Sequence, residues 1–298
     1  MRDSLCPVCS IQGVPFLEAK DFNRRISADI FLYLKCPSCG LIYLVNVPEE
    51  LGKYYPAAFY AIPRDKESLL AKSANEQYKI EIVQQFIKKG RLLEIGSAWG
   101  TFACLARQSG FDIDVIEMNE QCCRFIQNKL GIRAVTSIDQ ITTHDGLSGY
   151  DAILLWHVIE HLPDPWSVLK TACAQLLPEG ILVVSAPNPE ALQFRIFGHH
   201  WTHVDAPRHV QLIPISLLTQ QMDKLGFQPL LITTTDQGSL KYNSFGWGMS
   251  IKTYFRFKPL RFGAYCIGRV LAGLLVPIES KGRRGSCYTA VFRRKGLL

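Results

Sequence analysis

The sequence holds no uninterrupted apolar run of the roughly 20 residues that a bilayer-spanning helix requires, and residues 1–12 carry no basic-then-apolar leader. Both absences point to an intracellular protein, with the cytoplasm as the expected compartment. Acid is scarce toward one end. From Lys241 onward twelve Lys and Arg face the single acid Glu279, so the net charge of +7 is concentrated there and implies an anionic neighbour. Disorder is excluded by the 48% hydrophobic content, and 298 residues leave room for one α/β domain with a small addition. One glycine is also missing. A dinucleotide site wants G-x-G-x-x-G so that the main chain can approach a pyrophosphate, and Ala98 occupies the middle position.

The stretch around that position organises the rest. Residues 91–101, Arg-Leu-Leu-Glu-Ile-Gly-Ser-Ala-Trp-Gly-Thr, read as a strand turning sharply into a helix. A second strand, Asp112 to Ile116, ends at Glu117, where a doubly wound sheet puts an acid that accepts both hydroxyls of a ribose. Alternation then continues. Strands are expected at 132–135, 151–156, 180–186, 227–234 and 286–293, with helices at 100–109, 119–130, 165–177 and 214–225.

Glu94-x-Gly96-x-x-x-Gly100 followed by Glu117 resembles the class I S-adenosylmethionine-dependent methyltransferases, with Ala98 departing from the family's commonest middle glycine. The resemblance implies an α/β fold, a doubly wound, seven-stranded Rossmann-like sheet with an antiparallel last strand, and S-adenosylmethionine as cofactor. It implies a cofactor site of Glu94, Gly96, Ser97, Ala98, Gly100, Glu117, Met118, Trp156 and His157. Within it the glycine turn faces the methionine part, Glu117 the ribose and Met118 the adenine edge, while Trp156 and His157 come nearest the sulfonium.

Ten cysteines raise the question of disulfides, but four form two C-x-x-C pairs, Cys6/Cys9 and Cys36/Cys39, and the rest are scattered as reduced thiols would be. Between the pairs, Val14 to Ala19 and Ile30 to Leu34 can form a hairpin. This reads as a zinc ribbon over residues 1–47, and an apolar core that small needs the folding energy of the metal. Four cysteines leave no open coordination position, so the zinc is structural.

Residues 48–90 are expected to be a linker and a helix, 66–88, lying over the active site. Tyr54, Tyr55, Phe59 and Tyr60 in this part either cap that site or pack between domains. Residues 91–298 form the expected methyltransferase domain, with an insertion at about 237–285, too long for an ordinary connection.

Two histidine clusters are candidates for the chemistry. In Trp156-His157-Val158-Ile159-Glu160-His161, a helical turn would put His157 and His161 on one face, and His157 is the first choice of base. The segment also resembles the Glu-x-x-Glu-His stretch of quinone O-methyltransferases and small-RNA methyltransferases, where it can hold a divalent metal; His157 replaces the first acid and shifts preference to a softer ion. In His199 to His209, Arg208 can clamp an anionic acceptor by a two-pronged contact or pair with Asp205, and His209 is an alternative base. The reaction expected is methyl transfer to a small anionic, or a glycan- or lipid-linked, acceptor in polysaccharide or sugar biosynthesis. A quinone-type O-methyltransferase and a non-catalytic RNA- or protein-binding module remain as alternatives.

In the insertion, Ile267, Val270, Leu271, Leu274, Leu275 and Ile278 recur at helical spacing amid basic residues. Such a helix packs on the sheet edge, lies on an anionic membrane face, or covers an anionic acceptor. Nucleic acid ranks last, because Arg24, Arg25 and Lys35 lack interleaved aromatics. The oligomeric state is open.

Overall fold

The computed structural model describes residues 4–56, 63–142, 149–255 and 257–296. Near the N-terminus the two cysteine turns flank a hairpin, β1 (Val14–Ala19) and β2 (Phe31–Lys35), and β3 (Ile42–Leu44) pairs antiparallel with β2. Phe31 and Tyr33 of β2 point inward while Leu32 between them is exposed, the two-residue alternation of a strand with one buried face.

The helix expected over 66–88 is broken. An Asp65 carboxylate accepts from Ser68 N at 2.7 Å and starts α1 (Lys66–Ser73), a 3-10 turn spans Ala74–Glu76, and α2 (Gln77–Gln84) follows. Ser73 and Asn75 sit at the break. Such side chains compete for backbone groups, and Ser73 Oγ donates to Leu70 O at 2.8 Å. Of the four aromatics before it, Phe59 and Tyr60 lie outside the described residues. Tyr54 is buried edge-on against Phe31 of the ribbon, at 5.8 Å between ring centres, which is packing between the two parts.

From here strands and helices alternate: β4 (Arg91–Ile95), α3 (Thr101–Gln108), β5 (Asp112–Ile116), α4 (Glu120–Phe125), β6 (Ala134–Val135), α5 (Asp139–Thr142), β7 (Tyr150–Trp156), α6 (Pro165–Ala174), β8 (Leu176–Pro187) and α7 (Leu192–Phe197). Then come β9 (Gln211–Leu212), α8 (Ile215–Lys224), β10 (Phe227–Thr233), α9 (Gln237–Thr253), α10 (Lys258–Ser280) and β11 (Cys287–Arg294). The helix expected over 119–130 ends at Phe125 and continues as one π turn, Ile126–Leu130. The other boundaries move by a few residues, as frayed ends do.

Seven strands form one sheet in the order β6-β5-β4-β7-β8-β11-β10, all parallel except β11, which runs antiparallel to both its neighbours. This is the doubly wound architecture expected. The near-continuous apolar runs of β4, β7 and β8 are those of strands covered on both faces. The chain leaves β4 toward β5 on one side and reaches β7 on the other, so a crevice opens at the carboxyl ends of β4 and β7.

Two features depart from expectation. The ribbon is completed from outside: β9 pairs with β3, making a four-stranded sheet β1-β2-β3-β9. The insertion is not one helix on a sheet edge but an α9–α10 hairpin. A Cβ built on Gly268 would lie 2.7 Å from Gly248 Cα, so only glycines allow these helices to approach as they do. By length and composition α10 is long and apolar enough to cross a membrane, although no uninterrupted apolar run in the sequence predicts it.

Candidate active site

At the end of β4 the backbone turns through the left-handed region three times, at Gly96 (φ +76°), Ala98 (φ +51°) and Gly100 (φ +81°). Gly96 is demanded twice over, because an added Cβ would also stand 2.5 Å from Val158 Cγ2. Ala98 takes this conformation at a cost of about 1–2 kcal/mol. Register carries β5 alongside: Ile95 pairs with Ile116, and Gly96 N donates to Ile116 O at 2.8 Å, so Glu117 leaves the sheet level with the turn.

Glu117 is buried at that tip, and its carboxylate accepts from Ala98 N at 2.7 Å and Asn119 N at 2.8 Å. Burial raises its pKa, and these two N–H groups work against that rise. A carboxylate has about four lone-pair sites, so two remain for hydroxyl donors. Beneath the turn, Glu94 is pushed up to about 8, chiefly by burial, with Lys79 opposing. Among the described residues, Glu94 Oε2 and Ser97 Oγ are buried without a hydrogen-bond partner. Buried polar atoms left so are exceptions in native proteins; here they suit a polar ligand held along the turn, with vicinal hydroxyls at Glu117.

Across the crevice Ile95 pairs with Leu155, bringing the tip of β7 beside the turn. His157 is held there at φ +56° by a bond from its N–H to Ser185 O at 2.9 Å. Its ring lies 4.1 Å from that of Tyr242 of α9, centre to centre, and its Nδ1 is 3.5 Å from Glu160 Oε1. Glu160 is 1% exposed, and among the described residues its oxygens have no hydrogen-bond donor beyond the long His157 Nδ1 contact. Burial alone would raise its pKa, yet the imidazoles of His157, His161 and His209 outweigh that and bring it to about 2.

His157 and His161 do not share a helical face, because the left-handed residue precedes the short 3-10 turn Ile159–His161. His161 turns instead toward His209, with ring centres 4.6 Å apart. Its Nδ1 is 3.0 Å from Arg208 O and 2.9 Å from Tyr55 OH; Nδ1 of His209 is 2.8 Å from His203 O. A carbonyl only accepts, so each Nδ1 carries a proton. Burial, followed by His209, lowers the pKa of His161 to about 4. The ligand atoms of Glu160, His161 and His209 all lie within 4.8 Å of one another.

A family profile described as "Methyltransferase domain" matches residues 69–232, more than half of the chain and the part that carries both the turn and this cluster. The chain belongs to the methyltransferase family. A Bordetella avium protein named "Ubiquinone biosynthesis O-methyltransferase" is 25% identical over 167 residues, covering 51% of this chain and 68% of the relative. A Coxiella burnetii protein of the same name is 27% identical over 172 residues, covering 54% and 73%. In fold the chain is similar to a crystal structure titled as a SAM dependent methyltransferase from Archaeoglobus fulgidus. That similarity has a TM-score of 0.50 at 17% identity and covers 75% of this chain and 94% of the other.

Elsewhere in this methyltransferase the structure reassigns several expected residues. Arg208 is not presented to an acceptor. It is wholly buried, its fork grips Asp205 through Nε at 2.8 Å and Nη2 at 2.7 Å, and Nη2 also reaches Asp21 of the ribbon at 2.7 Å. The guanidinium thereby ties the β1–β2 turn to the loop after α7. Trp156 turns its indole into the core beside Phe102 and Tyr78, leaving His157 as the residue that the strand tip presents. The Met118 side chain is largely exposed just beyond Glu117. Tyr55, one of the aromatics expected either to cap the site or to pack between domains, meets His161 in the cluster. Tyr242 had no signal in the sequence, because a distant helix delivers it without a local motif.

Near the N-terminus of the methyltransferase the four expected cysteines converge. Cys6 and Cys39 sulfurs are 3.6 Å apart, Cys9 and Cys36 3.4 Å, and all four are free thiols within 4.8 Å of one another. A tetrahedron with metal–sulfur bonds of about 2.3 Å has sulfurs about 3.8 Å apart. Val8 N and Cys39 N also donate to the sulfurs of Cys6 and Cys36, which favours thiolates.

Proposed function

We propose that this protein transfers the methyl group of S-adenosylmethionine to an ionisable oxygen on a small-molecule acceptor. The observation that carries this reading is Glu160, a buried carboxylate whose neighbours are three imidazoles at the end of β7, with His157 Nδ1 at 3.5 Å. In the proposed complex Glu117 accepts the ribose hydroxyls, Ser97 and the β4 turn hold the methionine part, and Met118 borders the adenine. Bound so, the cofactor supplies a sulfonium methyl, whose in-line displacement depends on alignment more than on covalent help. The chain's own task is then to orient the acceptor and take its proton.

His157 is the proposed base. Glu160, 3.5 Å from its Nδ1, stabilises the imidazolium that forms, and Tyr242 against its ring limits access of water. The named O-methyltransferase relatives are compatible with an oxygen acceptor, and a glycan- or lipid-linked hydroxyl satisfies the same chemistry. Zinc is the ion proposed for Cys6, Cys9, Cys36 and Cys39, structural because no coordination position is left open.

A second reading of the same cluster is a divalent ion on Glu160, His161 and His209. The supporting observation is that both histidines point Nδ1–H at backbone carbonyls, the outer support that metal-ligating imidazoles almost always have.

Incubation with methyl-labelled S-adenosylmethionine and a panel of catechols, quinone precursors, nucleotide sugars and RNA tests the proposal. Label should appear on a hydroxyl-bearing small molecule, and His157→Ala should lower turnover about 100-fold or more. Absence of S-adenosylhomocysteine binding in a calorimeter would defeat it. Loss of activity on chelation that leaves the four-cysteine ion in place would favour the second reading over the base.

A further inference from the structure

Helix α10 packs inward through small residues and the half-buried Leu271 and Leu275, yet leaves much of its bulky apolar surface outside. An ordinary surface helix turns its bulky apolar residues to the core and its small and polar ones to water. Here Ala264, Gly268 and Ala272 face inward, pressed on α9, while Phe262 (72% exposed), Val270 (64%) and Leu274 (69%) face outward. Leu260, Ile267 and Ile278 are exposed as well, so the apolar surface runs along most of a helix about 34 Å long. A contiguous apolar surface of that extent is rarely left bare in a monomer.

The charges indicate what covers it. Lys258 and Arg261 stand at the start of α10, Arg269 at its middle and Lys281 just past its end. Among the described residues none of these four has an ion-pair partner. The only acid on either helix, Glu279, is buried and accepts from Trp247 Nε1 at 3.0 Å. Two-fold pairing of this face with a second copy would set cations against cations. An anionic surface with an apolar interior satisfies both the cations and the apolar residues.

We infer that the outer face of α10 seats the protein on an anionic lipid bilayer, with the helix lying in the membrane plane. It does not span. Its inner face is fixed to α9, its last turn is tied to Asn243 and Trp247 through Glu279, and the chain re-enters the sheet at Cys287. The apolar side chains enter the acyl boundary while the lysines and arginines meet headgroup phosphates. Helix α9 stands between the bilayer and the candidate site, with Tyr242 against His157. The bilayer therefore lies one helix away from the tip of β7.

The test is sedimentation of the full chain with vesicles of phosphatidylcholine alone or mixed with phosphatidylglycerol. Binding should be about tenfold stronger to the mixed vesicles and should weaken with salt. The double variant Val270→Glu/Leu274→Glu should lose about tenfold or more, while keeping the circular dichroism and S-adenosylhomocysteine affinity of the parent. Should that variant misfold, Ile267→Trp in the otherwise native chain replaces it: blue-shifted emission on adding mixed vesicles supports the docking, and unchanged emission overturns it. Failure to sediment with mixed vesicles overturns it too, as does a concentration-dependent dimer that the double variant abolishes. None of these readouts requires a methyl acceptor, so they stand or fall separately from the proposed reaction.

Discussion

Arg208 and Asp21, 187 residues apart in sequence, meet at 2.7 Å with neither side chain exposed to solvent. One belongs to the loop that follows α7 and the other to the β1–β2 turn. Asp205, accepting from the same guanidinium, makes the joint a triad. The ribbon is held through this contact, through β9, and through Tyr33, whose hydroxyl donates to His209 O at 2.8 Å.

Removing the guanidinium should leave two buried carboxylates unpaired. Arg208→Ala is expected to cost about 3–5 kcal/mol in denaturant titration and to expose the ribbon to proteolysis. Burial would raise the pKa of Asp21, but Arg208 and the N–H groups of Ile26 and Arg24 lower it on balance. A lowered folded pKa means that this contribution is present above the unfolded value of about 3.9 and is lost as pH falls below it. A variant as stable as the parent, with the same acid limb, would show that the triad is only a contact.

Glu117→Ala should weaken S-adenosylhomocysteine binding by about 1–3 kcal/mol, the usual loss when charged hydrogen bonds go. The same substitution also frees Ala98 N, so Glu117→Gln serves as a partner variant that keeps one acceptor oxygen. Calorimetric titration of both checks the assignment, and parent-like affinity in the alanine variant would remove the ribose from Glu117.

Glu94 carries a pH signature of opposite sign to that of Asp21. Its folded pKa of about 8 lies above the ordinary value of 4.5, with burial the main cause. Its contribution is therefore complete below 4.5 and is lost as pH rises toward 8, because the unfolded chain releases the proton first. Stability of the parent relative to Glu94→Gln should fall between pH 5.5 and pH 8. Parallel unfolding curves at the two pH values would mean that Glu94 ionises in the folded protein as it does in the unfolded one.

Cys36→Ser should release the proposed zinc and loosen residues 4–44, as read by metal content and by amide exchange in β1 and β2. Because β9 and the Arg208 triad also hold this sheet, the seven-stranded domain should keep its own unfolding transition. Full metal content in the variant would count against four-thiolate coordination.

The glycine turn, Glu117 and the succession of strands were legible because each rests on neighbours in sequence: an apolar run, a left-handed residue, an acid just after a strand. The cysteine pairs were legible for the same reason, as two short knuckles. Arg208 was not. An arginine beside Asp205 suits an anionic acceptor or a structural pair equally, and only the arrival of Asp21 from the ribbon decides between them. The helix expected over 66–88 failed just after Ser73, whose hydroxyl bonds to Leu70 O within the last turn of α1, although the apolar periodicity continues past it.

The sequence by itself therefore determined the sheet, its crevice and the family, since strand periodicity, turn chemistry and motif spacing are short-range properties of the chain. Tertiary structure alone decided that His209 would come to face His161, that Tyr242 would cover His157, and that β9 would finish the ribbon. It also decided that α10 would meet α9 through Ala264, Gly268 and Ala272 and leave Val270 and Leu274 outside. The physical reason is common to all four: each depends on which distant segment arrives opposite a residue, and helical or strand periodicity leaves that partner unspecified.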